Sequence, residues 1–220
     1  MRPQIVKLLK AILLVALLVP LALLGHEAYQ SIQGTGEGLG VNPIERLTHR
    51  TGALALYCLL LSLSVTPLRM LTGRAALTRF RRLTGLVSFG YAVLHLAVYV
   101  LDRSLGEDGF SLRDVGADIA KRPYITIGTL AFVMLLILAV TSTSGMIRRL
   151  GHSWQTLHRL VYPAAILVII HFAWLVKAGL LRPLSFGAVL LVLLLVRIPA
   201  WLRGSRGNGR GVKAKVESDG

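Results

Sequence analysis

LHRLVYPAAILVIIHFAWLVK, residues 157–177, is apolar enough to cross a bilayer and yet carries two histidines, His158 and His171. Ionisable groups inside a membrane segment are costly and rare, so each is a functional candidate. Thirteen residues separate the pair, which is about 19 Å along a helix axis at ~1.5 Å per residue. One metal ion cannot be shared across that distance. If both are ligands, they serve two sites at two depths. On an ideal helix they do not share a face either, since 13 residues leave a residual rotation of about 220°. Pro163 lies between them and can kink the segment.

Outward from this stretch the chain reads as a series of further spans. The mean hydropathy is +0.65 and 54% of the 220 residues are apolar, which places the chain among polytopic membrane proteins. At ~20 residues per crossing the length suits one domain of about six spans. They are Leu8 to Leu24, Thr51 to Leu68, Thr84 to Leu101, Tyr124 to Ser144, Leu157 to Lys177 and Leu184 to Trp201. The first follows Arg2, Lys7 and Lys10 as a signal peptide would, but it is long and lacks a clear small-x-small cleavage site, so it is expected to be retained. A Gly-rich loop, Gly25 to Arg50, comes next, with Asn42-Pro43 as a turn signal able to start a short helix. Asp102 to Pro123 reads as a mixed-charge loop, and Gly145 to Thr156 as a short basic one. No internal repeat and no strand pattern is evident. The expected fold is an all-α, six-helix transmembrane bundle over residues 1–202. The Gly- and charge-rich tail, 203–220, is expected to be disordered.

Charge sets the orientation. Seventeen of the 25 lysines and arginines fall in the N-terminus, the 69–82 loop, the 145–159 region and the C-terminal stretch, with only Glu217 and Asp219 against them. The rest of the chain holds 8 basic and 8 acidic residues. By the positive-inside rule the basic face is cytoplasmic, and six spans put both termini there. The net charge of +15 is thus topology, not a nucleic-acid surface. A lone cysteine, Cys58, excludes an intrachain disulfide and Cys-based iron–sulfur or zinc centres.

Spans three and five both run from inside to outside. His95 lies 13 residues past Arg82, and His171 lies 12 past Arg159. Both therefore sit about 18–20 Å from the inner edge and can face each other. Two neutral imidazoles on facing helices are a standard way to hold a b-type haem iron. Ser88 and Ala92 lie near the His95 face and leave room for a flat macrocycle, although small residues also serve helix packing. Alternatively, each histidine hydrogen-bonds to a neighbouring helix or lines a proton path. His158, at the inner boundary, is either interfacial or a ligand of a second haem. His152, His26 and His49 read as surface residues.

Several segments taken together resemble a known family: LGVNPIERLTHRTG, SVTPLR, RFRRLTGLVSFGYAVLHLAVY, KRPYITIG, LAVTSTS and LGHSWQTLHRLVYPAAILVIIHFAWLVK. In this order, from Leu39 to Lys177, they resemble the MsrQ (YedZ) family of haem-binding membrane subunits, part of the ferric-reductase-like group that includes NADPH oxidases. The resemblance implies haem b as cofactor, with FMN also associated, and His95, His158 and His171 at the family's haem positions. It implies electron transfer across the bacterial inner membrane from the quinone pool or a cytosolic flavin reductase. The implied acceptor is MsrP, a periplasmic molybdopterin methionine sulfoxide reductase that repairs oxidised proteins, and the chain is then a redox subunit with no bond chemistry of its own. NADPH oxidases carry a further histidine 14 residues before the one on span three; here that position is Arg81. Arginine can pair with a haem propionate or a phosphate but is a poor iron ligand because it stays protonated. Two other classes compete with this reading: a histidine-dependent proton or metal transporter, and a passive membrane anchor for a partner enzyme.

Overall fold

The computed structural model describes residues 3–34, 38–106, 109–176 and 179–197. Among them the helices are α1 (Pro3–Gln33), α2 (Pro43–Thr72), α3 (Thr78–Ser104), α4 (Leu112–Lys121), α5 (Pro123–Val140), α6 (Ser144–Leu150), α7 (Ser153–Leu157), α8 (Val161–Leu175) and α9 (Leu181–Leu195). Five segments are long and apolar enough to cross a membrane: α1, α2, α3 with its preceding turn, α5, and the run Ser153–Leu175. The expected sixth crossing appears as α9, whose 15 residues extend only about 22 Å at ~1.5 Å per residue. The expected tail lies outside the described residues.

All four expected loops are largely helical: residues 69–82 are divided among α2, a 3-10 turn at Ala75–Leu77 and α3, and the Gly145 to Thr156 stretch holds α6 and most of α7. α1 continues to Gln33 and α2 begins at Pro43, so the Gly25–Arg50 stretch is mostly helix. What reads in sequence as a short helix at Pro43 is the first turn of a 30-residue one. Asn42 starts it: its Oδ1 accepts the Glu45 N–H at 3.3 Å, its amide donates back to the Glu45 carboxylate at 2.8 Å, and Pro43 needs no donor partner at the first position. Gly73, at φ 68°, ends α2 by returning its N–H to the Arg69 carbonyl at 2.9 Å. The Asp102–Pro123 stretch holds a two-residue antiparallel ladder, Leu105 opposite Phe110 and Gly106 opposite Gly109, and then α4. Asp118 fastens α4 to the bundle. Its carboxylate accepts the Tyr99 hydroxyl at 2.8 Å and pairs with Arg122 at 2.7 Å.

The bundle is built from two antiparallel hairpins. α2 packs most extensively along α3, and α5 along α8. Their shared core contains Leu56, Leu59, Leu63, Leu135, Leu138 and Val161. Ala164 and Ala165 are fully buried and let α8 approach its neighbours closely. A 3-10 turn, His158–Leu160, enters α8 just before Pro163. The proline has no N–H for the Arg159 carbonyl, and the tighter turn absorbs that loss. His158 therefore sits on this turn, not on the helix that carries His171.

Pro67 has a different consequence. It leaves the Leu63 carbonyl of α2 without its helical donor, and the Arg197 guanidinium, almost fully buried at the end of α9, donates to that oxygen and, at 2.7 Å, to the Tyr162 hydroxyl. Arg197→Met is expected to destabilise the fold by about 1–3 kcal/mol, because a buried acceptor is orphaned. Adding Pro67→Ala restores a donor and should recover part of the loss in thermal unfolding of the detergent-solubilised protein.

Candidate cofactor site between two histidines

His95 on α3 and His171 on α8 meet between the hairpins, their ring centroids 6.2 Å apart and their planes crossed at 80°. Each ring is held the same way. His95 Nδ1 lies 2.8 Å from the Thr48 carbonyl of α2, and His171 Nδ1 lies 2.7 Å from the Tyr124 carbonyl of α5. A carbonyl can only accept, so each Nδ1 carries the proton and donates it. That fixes the tautomer and leaves the Nε2 lone pair as the available ligand atom. Neither Nε2 has a hydrogen-bond partner among the described residues.

The rings reach those carbonyls because glycine follows each by four residues. Gly52 lies beside His95 and Gly128 beside His171. The two arrangements repeat at a constant spacing. Thr48, Gly52 and His95 correspond to Tyr124, Gly128 and His171, each 76 residues later. Leu54, Ala55, Leu59, Leu60 and Ala97 recur as Leu130, Ala131, Leu135, Leu136 and Ala173 at the same offset. α2–α3 and α5–α8 thus hold their histidines by the same local arrangement at a constant offset.

A cavity of about 370 Å³ opens between the hairpins, lined by both histidines, both glycines and small residues including Ala55, Ser88, Ala92 and Ala131. Ser88 turns its hydroxyl away to the Ala55 carbonyl at 2.8 Å, so the wall it presents is not an unsatisfied polar one. The mouth, at the end where α2 and α5 begin, carries Tyr99, Arg103, Arg122 and the exposed His49. His49 reads as an ordinary surface residue in sequence; its place on the rim comes from the early start of α2.

His158 and Arg81 do not line this cavity. His158 stacks on Trp154 with centroids 3.9 Å apart, and its Nε2 lies 3.3 Å from the Ser142 hydroxyl. Its Nδ1 is buried without a well-formed hydrogen bond. Arg81 is half-buried, and its carbonyl accepts the Ser62 hydroxyl at 3.1 Å. His152 is exposed, and so is His26, 3.0 Å from Gln30.

Residues 51–169 match the family described as ferric reductase like transmembrane component, a match that covers both glycines and His95 and stops two residues short of His171. The chain is 44% identical over 201 residues to the protein-methionine-sulfoxide reductase heme-binding subunit MsrQ of Xanthomonas euvesicatoria pv. vesicatoria (strain 85-10), covering 91% of this chain and 90% of the relative. It is 48% identical over 174 residues to the protein of that name from Bordetella pertussis (strain Tohama I), covering 77% and 82%. The chain belongs to the MsrQ family. Membership in MsrQ, with five helices of spanning length, makes it a multi-pass membrane protein.

The residues fit a haem. Two metal–nitrogen bonds of about 2 Å plus the half-widths of two rings account for a 6.2 Å centroid spacing. The donors are neutral imidazoles, the walls are apolar or small, and the cavity lies within the ~300–1,000 Å³ usual for ligand sites. Among the described residues no group of three or more His, Cys, Asp or Glu side chains forms a metal centre, so a two-ligand site with a macrocycle supplying the rest suits the geometry better than a bare ion.

Proposed function

We propose that this protein is the haem b electron-transfer subunit of a methionine sulfoxide reductase system of the bacterial inner membrane. It takes electrons from quinol or a cytosolic flavin reductase and delivers them to a periplasmic, MsrP-like molybdopterin reductase. The observation that carries this reading is the pair of carbonyl-anchored imidazoles with both Nε2 atoms free. When bound, haem supplies one-electron exchange between ferric and ferrous iron. His95 and His171 hold it, one from each hairpin, and the carbonyls of Thr48 and Tyr124 orient them and raise their basicity.

The donor end lies near Arg81, Arg82, Trp154 and His158. FMN, the flavin that the resemblance implies, belongs at this end if a flavin is the donor, with Arg81 available to its phosphate. His158 would be the ligand there for a second haem, with Arg81 in place of the opposite histidine that NADPH oxidases carry. In the bilayer we place six crossings, α9 being the last, with both termini cytoplasmic and residues 1–202 as one domain. The distribution of lysine and arginine supports this orientation. Transporter sites are typically formed by helices broken near mid-membrane, whereas His95 and His171 stand on the unbroken helices α3 and α8, which weakens the transporter reading.

Purification after haem-replete expression tests the proposal. A red protein whose Soret band shifts on dithionite is expected, and it should reoxidise when a cognate periplasmic reductase and methionine sulfoxide are added. A colourless preparation would sink it. His152→Ala should leave haem content unchanged, and His158→Ala should leave at least the haem held by His95 and His171.

A further inference from the structure

Gly52 and Gly128 stand at equivalent places in the two hairpins, and each closes on a histidine ring. A Cβ added at Gly52 would lie 3.0 Å from His95 Nδ1 and 3.1 Å from its Cε1. At Gly128 it would lie 2.8 Å from both Nδ1 and Cε1 of His171. The ring cannot retreat cheaply in either case, because Nδ1 is tied to the carbonyl one turn before that same glycine. Along an α-helix a carbonyl oxygen points towards the residue four places on, so only a residue without a side chain leaves it open to a flat ring. Gly90, on α3 itself, has nothing within 4 Å of its would-be Cβ.

We propose that Gly52 and Gly128 are positioning residues that set the rotation of the two axial imidazoles and hold their planes crossed. The inference rests on the haem reading above and says what the glycines add to it. Crossed planes have an electronic consequence. Each imidazole would donate π density into a different one of the two iron orbitals whose lobes lie between the haem axis and the porphyrin nitrogens. Those orbitals stay close in energy, the orbital moment along the axis is retained, and the low-spin ferric signal collapses to one strongly shifted low-field feature. Parallel planes split the orbitals and give three resolved lines. The 80° crossing assigns this protein to the first kind.

The test is EPR of the oxidised wild type beside Gly52→Ala, Gly128→Ala and Gly90→Ala, with haem-to-protein ratios. The wild type and Gly90→Ala should share the single low-field feature. Gly52→Ala and Gly128→Ala should lose it, to a three-line or a high-spin signal, with haem affinity down about 10–100-fold, as when a ligand histidine loses its support. The tighter site, Gly128, should suffer more. A haem-free measurement guards against misfolding: Gly52→Ala should lower the unfolding temperature of the apoprotein but have little effect in a His95→Ala background, where the ring is gone. A three-line wild type, or glycine variants indistinguishable from it, overturns the proposal while leaving the haem assignment intact. A colourless wild type removes both.

Discussion

His95→Ala and His171→Ala should each leave the purified protein with less than about a tenth of the wild-type haem. Loss of a partner that merely supports a ligand histidine costs 10–100-fold in affinity, and loss of the ligand itself should cost at least as much. The two variants should be equally damaging, because neither hairpin is the senior partner: each ring has one carbonyl anchor of nearly the same length, 2.8 and 2.7 Å. Absorbance of membranes solubilised from haem-replete cells gives the ratio directly. Full haem in the double variant would refute the site. A passive anchor would keep partner activity in both single variants, so sulfoxide reduction by the reconstituted pair, driven by quinol or reduced flavin, separates that alternative.

Ala92→Phe should abolish haem binding nearly as completely, without touching a ligand. Ala92 is buried on α3 one turn before His95, on the wall of the cavity. A phenyl group there projects into the slot between the hairpins and occupies the space of a macrocycle. Filling a void restores dispersion contacts that its lining otherwise lacks. The apoprotein is therefore expected to unfold at the wild-type temperature or slightly above it. Lost haem with retained stability is the combination that matters. A variant that binds haem normally would mean that the macrocycle does not lie in this cavity.

The matching depth of His95 and His171 is legible in sequence because the inner-edge arginines give each span a ruler. The crossing number follows from hydropathy in the same way, up to α9. What holds the rings is less legible. The anchors lie 47 residues away from the histidines they serve, and a backbone carbonyl has no letter of its own. Gly52 and Gly128 are visible letters, but a glycine in an apolar helix usually signals packing. The matching arrangement around the two histidines is hidden for a related reason: among leucines and alanines that any membrane helix repeats by chance, only the shared offset of glycine and histidine marks it. α4 and the early start of α2 are missed because a charged, amphipathic or capped helix at a membrane surface looks like a loop when apolar runs are the criterion.

The contact between Arg197 and the carbonyl freed by Pro67 also decides where this polypeptide can be shortened or extended. A tag joined well beyond Arg197 leaves that fastening in place. A stop codon upstream of it strands an oxygen on Leu63, which is 1% exposed and whose backbone donor Pro67 removes. Such a truncation would release the final helix and the interior of the second together, although neither histidine had been altered.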